Sequence, residues 1–103
     1  MKITVLIKDG DSARLTDGIR LVLGLTIDHR VSLLITDKGS EAISHAMKSP
    51  AFKTQFLESM ELISKMSGVI KTEKPIEDAE AIETISRDDF TKLLLTADSI
   101  VVF

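Results

Sequence analysis

Glu41 and His45 lie four residues apart in a stretch that reads as helix, the spacing at which a carboxylate orients an imidazole for proton transfer. A second polar group, Lys8-Asp9-Gly10-Asp11-Ser12, follows directly on an apolar run, where α/β domains hold phosphates on freed helix amides. It carries neither a GxGxxG nor a GxxxxGK[ST] pattern, and its two carboxylates repel an anion. Asp9 and Asp11 are oxygen donors of the kind that hold magnesium in phosphoacceptor domains. That pattern fails elsewhere, because the third apolar run ends in Thr72 and Glu73 instead of an aspartate and no lysine follows the fifth. The residues left as candidates for a small-ligand or anion-binding module are Asp11, Ser12, Gly39 and Ser40, in the loops beyond apolar runs, and His45 on the short helix that follows. The same residues also read as turns and helix caps, and both readings stand.

His29 precedes the second apolar run and so lies at the wrong end for a site. Two histidines sixteen positions apart do not make a metal cluster, so no metal or cofactor is expected. No serine sits in a GxSxG elbow. Glu73, Glu77, Asp78, Glu80 and Glu83, with Lys71 and Lys74 nearby, read as a solvated loop. The chain has no cysteine, which removes thiol nucleophiles, persulfides, disulfides and thiolate metal sites together. No catalytic residue is assigned.

The chain has 103 residues, 44% hydrophobic and 28% charged, the make-up of one globular domain spanning residues 1–103. Its 13 basic and 16 acidic residues give a net charge of −3 without a Lys/Arg stripe, so nucleic acid is not expected as a direct ligand. The first apolar run is too short for a signal segment or a membrane span, so a cytoplasmic location away from membranes is expected.

Stepping along the elements, residues 3–7 form a β-branched run bounded by polar residues, a buried parallel strand. Asp11 or Ser12 caps a helix to about Leu25 whose apolar face is Leu15, Ile19, Val22 and Leu23. Residues 31–35 are a second buried strand, closed by a turn at Gly39. Ser40 opens a short helix to Met47, Ser49-Pro50 interrupts it, and residues 51–66 form the strongest helix, with Phe52, Phe56, Met60 and Ile63 on one face. Gly68 stops it. A third strand starts at Val69, and a connection barely long enough for a crossover, and so stripped down or irregular, leads to a fourth at residues 81–85. Ser86 and Asp89, with Ile85 and Phe90 as staple, start a helix at Arg87. Residues 99–103 are a last buried strand. This order predicts an α/β fold: a three-layer α/β/α arrangement around a mostly parallel five-stranded sheet, with any site at the strands' carboxyl ends.

With the elements placed, the tail ETISRDDFTKLLLTADSIVVF over residues 83–103 (a capped helix, an Ala-Asp turn and an apolar strand) resembles the DsrE/DsrF-like family of sulfur-relay subunits, closest in pattern to its TusC/DsrF-like members. The opening strand, the helix starting near Ala13 and the long helix before Gly68 also fall where that family has them. The resemblance implies the same three-layer fold. It also implies a homo-oligomer, or a hetero-oligomer with DsrE-like relatives. The family's sulfur carriers hold a reactive cysteine just after the third strand, at the place of Thr72 and Glu73 here. A hydroxyl ionises far above neutral pH and carries no sulfane sulfur, so the resemblance implies a non-catalytic member.

Overall fold

The computed structural model describes residues 1–79 and 81–103. Strands β1 (Lys2–Ile7), β2 (Arg30–Ile35), β3 (Val69–Thr72), β4 (Glu83–Thr84) and β5 (Ser99–Val102) form one sheet in the order β4-β3-β2-β1-β5. All four pairings are parallel. The α/β class is as the alternation of strands and helices predicts. Helix α1 (Ser12–Leu25) joins β1 to β2, α2 (Asp37–Ala46) and α3 (Pro50–Lys65) join β2 to β3, and α4 (Arg87–Leu95) joins β4 to β5.

The first three crossovers step one way across the sheet, whereas β4 to β5 returns over all the other strands. With right-handed connections this puts α1, α2 and α3 on one face and α4 on the other. Side-chain alternation agrees. Val5, Ile7, Leu33 and Ile35 point into the main core with Leu15, Ile19, Val22, Phe56 and Ile63 of the helices, and all are buried. Thr4 and Leu34 have the opposite parity and are buried on the α4 side, where Phe90 is also buried. Each fully buried Leu, Ile or Phe contributes about 1.5–3 kcal/mol.

Local chemistry sets the helix starts. The Asp11 carboxylate accepts from the Arg14 amide at 2.9 Å, and the Ser86 hydroxyl accepts from the Asp89 amide at 3.2 Å. Ser49 caps α3 with Pro50 in its first turn, where proline gives up no hydrogen bond. Phe52 and Phe56 stack one turn apart, 5.8 Å between ring centres. After α3, Ser67 takes the left-handed conformation (φ 65°), and the Gly68 amide bonds back to the Ile63 carbonyl at 2.8 Å. The stop therefore uses Ser67 for its backbone turn and Gly68 for close approach, since a Cβ at Gly68 would lie 2.4 Å from the Ile63 side chain.

Three sequence expectations need correction. The short helix starts at Asp37 instead of Ser40, because the Thr36 hydroxyl accepts from the Gly39 amide at 3.0 Å and caps it earlier. Gly39 is thus inside a helical turn and not the turn out of the sheet. The fourth strand shrinks to Glu83–Thr84, because Ile82 turns into the main core and ends the extended run. The last strand is an edge: among the described residues it pairs only with β1, and Ile100 and Val102 remain 46% and 47% exposed. Between β3 and β4 the chain forms turns and no helix among the described residues, while Ile76 and Ala79 plug into the core. Glu80, counted in the acidic stretch above, lies outside the described residues.

Candidate functional site

Two polar clusters occupy the carboxyl edge of the sheet, where the helix starts of α1, α2 and α4 converge. The first is a cleft of about 720 Å³ between the β1–α1 turn and α2, whose lining includes Asp9, Asp11, Ser12, Lys38, Glu41 and His45. Parallel geometry explains the meeting: β1 and β2 pair along their whole length, so the segments leaving them emerge side by side. Of the five candidates from the sequence, Asp11, Ser12 and His45 come together here.

Gly39 and Ser40 do not line the cleft. Both are buried in the first turn of α2. A Cβ at Gly39 would stand 2.3 Å from the Ile7 carbonyl oxygen, so this glycine lets α2 lie directly on β1. The Ser40 hydroxyl donates to the Asp37 carbonyl at 2.6 Å and is spent on the helix itself.

The start of α1 is not an open anion cradle. Asp9 accepts from the Gly10 amide at 2.8 Å, and Asp11 holds the Arg14 amide, so the chain's own carboxylates take two of the donors a phosphate would use. Asp9, Asp11 and Glu41 set three carboxylates against the single ammonium of Lys38. The cleft therefore favours a neutral or cationic polar molecule over an anion. His29 is exposed in the turn before β2, at the far end of the sheet from this cleft. Among the described residues no three His, Asp or Glu side chains are grouped to hold a metal ion.

The second cluster lies at the end of β3. Thr72 is fully buried, and its hydroxyl donates to the Lys74 carbonyl at 2.7 Å. The Glu73 side chain is only 14% exposed and works as a tie. One carboxylate oxygen accepts from the Asp37 amide in the first turn of α2 at 3.2 Å, and the other accepts from Arg87 Nε at the start of α4 at 3.4 Å. Asp37 in turn pairs with Lys74 at 3.2 Å through Oδ2, while its Oδ1 is buried without a hydrogen-bond partner among the described residues. Strand β3, helix α2 and helix α4 are thereby bound on both faces of the sheet through one glutamate.

Asp37, Lys74 and Arg87 were not singled out from the sequence. Their signal is topological: each lies within three residues of a strand's carboxyl end, so the sheet order β4-β3-β2 brings them together without any local motif. A third feature is a groove of about 620 Å³ beside α3 and β3, lined by Leu57, Met60, Ile70, Ala79 and Ile82, with the Lys71–Glu83 ion pair at its rim. It lies along the connection that lacks a crossover helix. Among the described residues no helix is long and apolar enough to cross a membrane.

Fold and edge chemistry together define a parallel α/β domain with a polar cleft at the carboxyl end of its sheet. No model of a known protein family matches the chain, and no curated protein sequence matches it.

Proposed function

We propose that this chain is a non-catalytic DsrE/DsrF-like subunit, a structural or regulatory partner in a cytoplasmic sulfur-relay-type oligomer. The observation that supports it best is the use of Thr72 and Glu73, the pair at the position of the family's reactive cysteine. Neither is presented to a substrate: the Thr72 hydroxyl is buried and spent on the Lys74 carbonyl, and the Glu73 carboxylate is spent on α2 and α4. A site used as a joint between three elements holds a subunit rigid and leaves sulfur chemistry to a partner's thiol. The test is co-expression with thiol-bearing DsrE/DsrF-like subunits, followed by size-exclusion chromatography and intact mass. The expected result is co-elution, with bound sulfur on the partner only. A chain that associates with none of them refutes the proposal.

The cleft beside His45 supports a second reading, a small-ligand module. Its acidic lining selects for polyols or organic ammonium compounds rather than anions. A thermal-shift screen separates the classes, because a ligand present at 100 times its dissociation constant adds about 2.7 kcal/mol. Stabilisation by phosphate or sulfate instead of ammonium compounds would contradict the charge argument.

A further inference from the structure

We infer that the groove beside α3 and β3 is a binding site for a small, uncharged, mainly apolar molecule, which takes the space a crossover helix would otherwise fill. This assignment goes beyond both readings above and rests on neither, because the groove shares no lining residue with the cleft beside His45. Strands β3 and β4 are parallel neighbours, and such a pair is ordinarily joined by a helix lying over the sheet. A right-handed step from β3 to β4 places that helix on the face of α1, α2 and α3, directly beside α3. Residues 73–82 make the connection without a helix among the described residues. Its seat stays open as a space of about 620 Å³, within the range of roughly 300–1,000 Å³ that small-molecule sites occupy.

The shape of the groove selects a small molecule over a protein surface. Leu57 and Met60 of α3 form one wall, Ile70 of β3 the floor, and Ala79 and Ile82 of the connection the opposite wall. A partner helix would have to push that second wall aside, and Ala79 and Ile82 hold it in place because both belong to the main core. The apolar lining is also recessed: Met60, Ala79 and Ile82 are only 7%, 4% and 7% exposed. The face of another folded chain does not reach side chains buried to that degree, whereas a small molecule enters by insertion. Met60 adds a flexible thioether that adapts to an inserted body and packs well against an aromatic ring.

The charges at the rim fix the class of ligand. Lys71 is ion-paired with Glu83, and Glu61 with Lys65 one turn along α3. An ionic ligand of either sign therefore finds its counter-charge taken, and an uncompensated charge pressed against this apolar lining is costly. The exposed Ser64 hydroxyl on the α3 wall offers one hydrogen bond. The chemistry that fits is an uncharged apolar body carrying one hydrogen-bonding group.

The experiment is a fluorescence titration with N-phenyl-1-naphthylamine, a dye that is uncharged at neutral pH and emits strongly only in apolar surroundings. Its analogue 1-anilinonaphthalene-8-sulfonate has the same rings and a negative charge. The chain has no tryptophan or tyrosine, so the emission is the dye's alone. The expected result is saturable binding of one neutral dye per chain, with the sulfonate at least tenfold weaker. Ala81→Phe, at an exposed position on the groove, and Leu57→Gln, on its wall, each with an unchanged helical spectrum, weaken the neutral dye at least tenfold. Leu95→Ser, which removes an 80% exposed leucine on α4, changes nothing. Glu83→Gln frees the Lys71 ammonium and tightens the sulfonate at least threefold. Absence of saturable binding overturns the assignment, and so does binding that Leu95→Ser abolishes while Ala81→Phe and Leu57→Gln keep it. A sulfonate that binds as tightly as the neutral dye, or gains nothing from Glu83→Gln, overturns the uncharged class. Light scattering alongside the titration tests the other occupant: a dye expelled as the chain dimerises means that a second copy fills the groove, and the small-molecule assignment falls. The co-elution test of the subunit proposal is independent of all these outcomes.

Discussion

Replacing Gly39 with alanine adds one methyl group where α2 crosses β1. The new Cβ would stand 2.3 Å from the Ile7 carbonyl oxygen and 3.0 Å from its carbon, against an ordinary contact of at least 3.4 Å. The obstacle is main chain in a central strand and has no rotamer to yield, so α2 must retreat by about 1 Å. Overpacking of this kind costs typically 1–3 kcal/mol. The same retreat stretches the bond from the Gly39 amide to Thr36 Oγ1, a cap worth about 1 kcal/mol. Alanine's better helix propensity returns at most about 1 kcal/mol. The net expectation is a loss of about 2 kcal/mol, which in a domain of this size lowers Tm by roughly 8–16 °C. Gly24, exposed in α1 with nothing near its missing Cβ, is the internal control. Gly24→Ala raises stability by about 0.5–1 kcal/mol. Urea and thermal unfolding followed by circular dichroism read both variants on one scale. If the two substitutions shift stability in the same direction, or Gly39→Ala is neutral, the proposed seat of α2 on β1 is wrong.

Glu73→Ala leaves the Asp37 amide without its acceptor in a mostly buried joint and costs about 1–2 kcal/mol, while Glu73→Gln keeps an acceptor oxygen and recovers most of it. The Arg87 contact adds little to either figure, because that side chain is 83% exposed. Thermal melts of the pair check this, and equal loss in both would place the energy in the charge rather than the hydrogen bond. Thr72→Cys places a thiol at the end of β3, the position the proposed DsrE/DsrF-like reading compares with a carrier cysteine, but a fully buried one. A thiol reagent is expected to label it only as the fold opens, whereas Ser12→Cys, exposed at the start of α1, labels at once. Rapid native labelling of Thr72→Cys would show that this position is open to reagents in the folded chain and contradict its burial.

Helix starts were readable from the sequence where the capping side chain is a neighbour. Asp11 and Ser86 each serve an amide three residues on, so spacing located the starts of α1 and α4, whereas α3 was legible from Pro50 and the periodicity of Phe52, Phe56, Met60 and Ile63, its Ser49 cap emerging only in the structure. Thr36 caps α2 in the same way, but Gly39 obscured it: a glycine that close to a strand reads as a turn. Its reason is the Ile7 carbonyl, more than thirty positions away in sequence, and no local pattern carries that. The run at residues 99–103 looks buried by composition, whereas its exposure follows from β5 having a neighbour on one side only, a property of strand order. The cleft was partly legible for a related reason. Carboxyl ends of parallel strands share an edge, which brought Asp11, Ser12 and His45 together. Asp37, Lys74 and Arg87 belong to three different segments and acquire meaning only once β2, β3 and β4 are side by side.

The placement of β1 has a kinetic consequence. This central strand finds β2 at Arg30, opposite Lys2, but its other flank waits for β5, whose approach is marked by a bond from the Lys2 amide to Asp98, 96 residues along. Closing the longer loop costs roughly 1 kcal/mol more than closing the shorter, by the logarithmic growth of loop entropy. Assembly therefore begins with β1, α1 and β2 and seals late, and until β5 docks an interior strand of the sheet has a bare flank. Crowded nascent chains are vulnerable to mispairing during that interval, and the speed of the final docking step governs how much of the product survives it.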